Sequence, residues 1–203
     1  MQKNYAYVVT RDYGFAPNPF WGVMSLATCK PCIRNLSRVG DRIFGFTSKQ
    51  RKNLLIYAMK VTQIMSYDNY WADPIFIKKR PMMNGSMAKL YGDNIYHHDD
   101  NGNWVQENSH HSYENGIPNM LNLHRDTRSD KVLLSTAFYY FGSEAIDVSN
   151  IIDIPNLKLG RGHRIILNSL ADSLWAFLSA QYQNNNFIAD PLLFAKFERY
   201  NGK

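Results

Sequence analysis

Apolar positions come in short strand-like runs through most of the chain and at helical spacing near its end. Tyr5-Ala6-Tyr7-Val8-Val9-Thr10 is aromatic and β-branched, which predicts a first strand. The two prolines and the glycine of Gly14-Phe15-Ala16-Pro17-Asn18-Pro19 stop regular structure, and Val23-Met24-Ser25-Leu26-Ala27-Thr28-Cys29 is a second strand candidate. Val39-Gly40-Asp41 reads as a turn into a strand at Arg42-Ile43-Phe44-Gly45-Phe46-Thr47. Leu54-Leu55-Ile56-Tyr57-Ala58-Met59-Lys60-Val61 is apolar enough for a central strand. Residues 68–80 have room for a short helix with Pro74 in its first turn. Lys131-Val132-Leu133-Leu134-Ser135 with Ala137-Phe138-Tyr139-Tyr140-Phe141-Gly142 is read as one more strand region, and 147–155 as extended connection. Near the end, Ile166, Leu170, Leu174, Phe177 and Leu178 recur at helical spacing and predict an amphipathic helix over about 164–181. That stripe, with Trp175, is read as core packing, with a homodimer face as the alternative. Asp190-Pro191 offers a cap and first-turn proline for a last helix through Leu193, Phe194 and Phe197. The expected fold is α+β: a small, curled, mostly antiparallel sheet or barrel with C-terminal helices packed on it.

One stretch breaks these rhythms. Residues 91–126 hold five of the six histidines, with Asp93, Asp99, Asp100, Glu107, Glu114 and Asp126. Between Asp93 and Pro118 the aliphatic residues are Ile95, Val105 and Ile117 alone, so the segment cannot bury enough surface to fold by itself. Tyr91, Tyr96, Trp104 and Tyr113 nevertheless make it too aromatic for a free linker. A long polar connection pinned by aromatics predicts a functional loop.

Composition adds bounds. The 203 residues fit one domain, sheet and loop over 1–155 and a helical part over 160–203. No window has the apolar length of a membrane span, the first residues do not resemble a secretory signal, and two cysteines are too few for a disulfide scaffold. A cytoplasmic protein is expected. The net charge of +6 favours polyanionic partners, nucleotide or nucleic acid. Its excess is local: Lys30, Arg34, Arg38, Arg42, Lys49, Arg51, Lys52 and Lys60 face only Asp41 between residues 30 and 60.

Candidate chemistry follows from residue types. Arg11-Asp12 leads from the first strand into a loop where Tyr13, Phe15 and Phe20 can stack on a ring, and Asn18 can offer an amide. Core aromatics capping a simple turn are the alternative. Adjacent histidines in extended chain point to opposite sides, so each of His97-His98 and His110-His111 offers at most one ligand to a shared centre. The spacing matches no metal motif, and no metal is expected. His110 or His111 is instead the candidate general acid or base, oriented by Asp93 or Asp126, with Gln106 positioning a substrate. Gly92 can let backbone approach a ligand, and Asp93-Asn94 can read a base edge. Arg161, His163 and Arg164, in Gly160-Arg161-Gly162-His163-Arg164 before the predicted helix, suggest a phosphate cradle. Cys29-Lys30-Pro31-Cys32 is formally C-x-x-C but lacks a thioredoxin-like frame, and Cys29 is read as a small buried residue.

The strand order resembles the start of PUA-like small barrels. More specifically, the chain resembles the second type of nucleotide modification associated domain. The resemblance rests on the Arg11 to Phe20 loop, Tyr91-Gly92-Asp93-Asn94-Ile95-Tyr96, Ser109-His110-His111-Ser112, and the Val132 and Phe138 runs. It implies a role with modified bases or nucleotides, in a family found near DNA-modification and phage genes; the cofactor stays unknown. Two readings follow. One is an enzyme in which Arg11 and the Gly160 turn hold phosphate, an aromatic stacks on the base, and Asp93 with His111 or His110 moves protons. The other is a non-catalytic module that recognises a modified base or nucleotide signal.

Overall fold

The computed structural model of the chain describes residues 2–202. Its strands are β1 (Asn4–Val8), β2 (Met24–Leu26), β3 (Arg42–Phe46), β4 (Leu55–Lys60), β5 (Gln63–Met65), β6 (Tyr96–His98), β7 (Trp104–Gln106), β8 (Val132–Ser135), β9 (Ala137–Tyr140), β10 (His163–Ile165) and β11 (Asn186–Phe187). The α-helices are α1 (Pro31–Leu36), α2 (Tyr67–Ala72), α3 (Met87–Leu90), α4 (Met120–Asp126) and α5 (Asn168–Gln181).

The strands form three open sheets: β10-β1-β3-β4-β9-β11, β2-β8-β5, and the hairpin β6-β7. Among the described residues only the β1–β3 and β9–β11 pairings run parallel. β4 lies inside the large sheet, as its apolar run predicts, and the fold is α+β. The expected barrel is not there: β10 and β11 are edges that do not meet.

Period-two alternation gives the large sheet two apolar faces. Ala6, Phe44, Ala58 and Tyr139 face one side, where Ala171, Leu174 and Leu178 of α5 cover them. Tyr5, Tyr7, Ile43, Met59 and Phe138 face the other, against Met24 and Leu26 of β2 and Leu133 of β8. Gly45 serves this packing, because a Cβ there would lie 2.1 Å from the Tyr57 ring. The Ile166, Leu170, Leu174, Phe177 and Trp175 stripe packs onto the first face. No helix among the described residues is long and apolar enough to cross a membrane.

Several expectations need correction. The 131–142 run is two strands in different sheets, broken at Thr136 where Ser135 Oγ bonds the backbone of Ala137. Residues 67–79 split into α2, capped by Ser66, and a 3-10 turn with Pro74 at its start, capped by Asp73. The predicted C-terminal helix loses its first turn to β10, because His163 to Ile165 pair with Tyr5 to Tyr7. Beyond Asp190 the described residues form no helix: the segment is drawn out by contacts elsewhere, among them Leu193 N–H to Asp12 C=O. The 91–126 stretch is ordered, built from β6, β7 and α4, and its Tyr91, Ile95 and Tyr96 join Tyr67, Tyr70 and Leu134 in a third apolar cluster.

Candidate functional site

The loop after β1 and the His110-His111 stretch meet across an open cavity of about 470 Å³. Arg11, Tyr13 and Phe15 form one side and His110 and His111 another, and Cys29, Lys30, Arg125 and Tyr200 are also in the lining. Two regions about a hundred residues apart in sequence thus share one lining.

Its floor is a chain of three groups. Asn119 caps α4 through the N–H groups of Leu121 and Asn122, and the buried face Asn122, Leu123 and Asp126 turns Asp126 inward. Asp126 Oδ2 accepts from His111 Nδ1 at 2.8 Å and from the Tyr96 hydroxyl at 3.0 Å, while Oδ1 accepts the Cys29 N–H at 2.9 Å. The other ring nitrogen, Nε2, lies 3.8 Å from the Cys29 sulfur. Gln106 Nε2 and Asn122 Nδ2 both donate to the His111 carbonyl and fix its backbone. Burial opposes protonation of His111, but the charge and hydrogen bond of Asp126, with Cys29 beside it, outweigh this and raise its pKa to about 9. Burial likewise works against the Asp126 charge, yet His111, Arg34 and Arg125 hold it below the usual carboxylate range.

His110 is the opposite case. Burial, then the neighbouring His111 charge, pushes its pKa down to about 3, so it is neutral at physiological pH. Its Nδ1–H donates to the Glu198 carbonyl, and its own carbonyl accepts the Tyr200 N–H at 2.7 Å. The C-terminal segment is thereby strapped across the site, and Arg199 ties it further to Ser109, Ser112 and Asn108.

Compared with known proteins, residues 1–198 match the family described as nucleotide modification associated domain 2. The chain belongs to that family. No curated protein and no solved structure matches it.

In this member of the nucleotide modification associated domain 2 family, the cavity is rich in cations. Arg11 is exposed, with its guanidinium carbon 4.9 Å from the Tyr200 ring centre, and Arg125 stands 5.1 Å from the same centre. Lys30 Nζ lies 4.3 Å from the Tyr7 ring centre, and burial lowers its pKa. Among the described residues neither Arg11 nor Lys30 has a carboxylate partner. Three cations beside aromatic faces suit an anion joined to a flat ring.

Other candidates from the sequence lie elsewhere. Asp93 is buried away from the cavity, where Ser25 Oγ and the Tyr70 hydroxyl donate to it at 2.6 and 2.9 Å. Asn18 Oδ1 accepts from Lys79 Nζ and its Nδ2 donates to Tyr91 C=O, so its amide is engaged on both ends. Asn94 Nδ2 bonds Tyr70 C=O. Gly92 makes its close approach to backbone: a Cβ there would lie 2.4 Å from Lys79 C=O. Asp12 accepts from the Tyr140 hydroxyl at 2.6 Å, and Phe20 packs on Phe187 and Phe194 around a separate apolar cavity. Arg161, His163 and Arg164 are outside the lining of the larger cavity and lead into β10, not a helix.

Sequence reasoning did not single out Arg125, named Lys30 and Arg34 only within a basic cluster, and read Cys29 as a small buried residue. Arg34 is fully buried and donates to the carbonyls of Cys29, Ser129, Lys131 and Asp126. A cysteine with histidine and aspartate far along the chain is a signal that spacing alone does not resolve. Cys29 is half-buried, not an inert core residue. Ligand atoms of Cys29, His111 and Asp126 lie within 4.8 Å of one another, the separation of a metal-ligand set. Both Asp126 oxygens are taken by the His111 ring, Tyr96 and the Cys29 N–H. The carboxylate therefore orients the imidazole from behind and leaves Nε2 facing the Cys29 sulfur.

Proposed function

We propose that the protein is a base- or nucleotide-modifying enzyme and that the large cavity is its active site. Arg11, Lys30 and Arg125 hold phosphate, the ring lies against Tyr13 and Phe15, and His111 is the acid–base group. Asp126 takes the orienting role, since Asp93 is committed to Ser25 and Tyr70. His110 lines the wall as a neutral imidazole. A mononucleotide or an extruded base is the substrate form that reaches such a recess, because stacking in a duplex hides the reactive edges.

The observation that carries this reading is one buried imidazole, held by Asp126 at 2.8 Å, opening into a cavity edged by three cations. Against burial, Asp126 raises its pKa to about 9, so at neutral pH it meets a substrate as a proton donor.

The test is mass spectrometry of nucleotides and single-stranded oligonucleotides after incubation with wild-type protein and with His111→Ala. A new product mass is expected with wild type, reduced about a hundredfold or more in the variant while nucleotide binding persists. Bound nucleotide recovered intact from wild type across the whole panel would instead favour a recognition module.

A further inference from the structure

We propose that Cys29 is a nucleophile and that the cavity carries out acyl transfer through a thioester on its sulfur. This rests on the nucleotide reading for the anionic part of the substrate, but not for the reacting group.

The thiol is held as a reacting group. Cys29 lies on the turn between β2 and α1 with φ 56°, a left-handed conformation that non-glycine residues seldom adopt. Two bonds maintain it: its N–H donates to Asp126 Oδ1, and its carbonyl accepts from Arg34 Nε at 2.9 Å. Arg34 also bonds the Asp126 carbonyl, so one buried guanidinium fixes both ends of the Cys29–His111–Asp126 chain. With Nδ1 of His111 committed to Asp126, Nε2 alone faces the sulfur, the arrangement that serves a cysteine or serine nucleophile in acyl transfer. A strand–turn–helix carrying the nucleophile at a strained position exposes it to substrate in the same way. Cys32, three residues on, is exposed and lies outside the cavity.

The step balances without an external oxidant. The reacting pair is the Cys29 thiolate beside the His111 imidazolium, and the sulfur attacks the carbonyl carbon of an amide or ester. The carbon–nitrogen or carbon–oxygen bond breaks, and His111 protonates the departing amine or alcohol. Water or an acceptor amine then attacks the thioester, giving its proton to His111 as the carbon–sulfur bond breaks, which restores the thiolate–imidazolium pair. The substrate class is a carboxylic amide or ester on a phosphate-bearing molecule, with Arg11, Lys30 and Arg125 on the phosphate.

The experiment uses the full chain and p-nitrophenyl acetate. A burst of one equivalent of nitrophenolate is expected, with one acetyl group on the Cys29 peptide. Cys32→Ser should leave it unchanged, Cys29→Ser should abolish it, and His111→Ala should slow it about a hundredfold or more. Should the alanine variant unfold, His111→Gln keeps a polar group toward Asp126 and gives the same comparison. Acetylation of Cys32 at an equal rate, or a rate indifferent to His111, would overturn the proposal, as would a stoichiometric zinc ion bound through Cys29. Inclusion of AMP or pyrophosphate separates the two readings. Slower acetylation supports both, an undiminished burst supports the thioester while counting against the phosphate site, and nucleotide binding without any burst overturns the thioester alone.

Discussion

The hairpin histidines and the cavity histidines are the same motif in two settings. His97 Nε2 lies 2.9 Å from Glu107, His98 Nδ1 lies 2.9 Å from Asp68, and His111 Nδ1 lies 2.8 Å from Asp126. Distance therefore does not separate them; water does. The side chains of the first two pairs are 15%/36% and 31%/54% exposed, and those of the third 1%/0%. Charges in contact with water are screened, while the Asp126 charge acts on His111 at full strength. The hairpin rings are also spent on packing, His97 stacked on Trp71 at 4.1 Å and His98 against Trp104 at 3.8 Å. The two adjacent pairs thus differ in burial and in the open cavity beside His110 and His111.

The largest difference is expected from neutralising each carboxylate. Asp126→Asn should cut the rate of any turnover, or of Cys29 acetylation, about a hundredfold or more, while Glu107→Gln leaves it within about twofold. Matched effects in the two variants would erase the distinction between the regions.

Stability against pH gives the next effect, and its sign differs between the two cavity rings. The folded pKa of His111, about 9, lies above its ordinary 6.5, so its contribution is complete below 6.5 and lost as pH rises through 9. The folded pKa of His110, about 3, lies below 6.5, so between these values the unfolded chain binds the proton and stability falls as pH falls. Thermal melts across pH should lose their alkaline decline in His111→Gln and part of their acid decline in His110→Gln. Parallel curves for wild type and both variants would refute the assignment.

The smallest effect belongs to the hairpin. His97→Ala with His98→Ala should cost about 1 kcal/mol or less in denaturant unfolding and leave activity unchanged.

What the sequence made legible tracks how local each signal is. β1, β3 and β4 follow from aromatic and β-branched runs, and α5 from its apolar spacing, because those patterns need only their own neighbours. Arg11, Tyr13, Phe15, His110 and His111 could be grouped from residue type and do line one cavity. The choice between Asp93 and Asp126 was open, since both are carboxylates near histidine in sequence, and only the turn of α4 brings Asp126 to the ring. Cys29 was read as a small buried residue because its partners lie 82 and 97 residues away. The last helix and the Gly160 turn misled for a related reason. Local capping signals there were overridden by pairing of β10 with β1 and by the strap over His110.

Calorimetric titration with nucleoside mono-, di- and triphosphates tests the cavity most directly. Wild type should bind, more weakly as salt rises, and Arg11→Ala should lose about tenfold in affinity while Arg161→Ala with Arg164→Ala leaves it unchanged. Absence of binding across the series, or a loss confined to the Arg161 and Arg164 variant, would contradict the account.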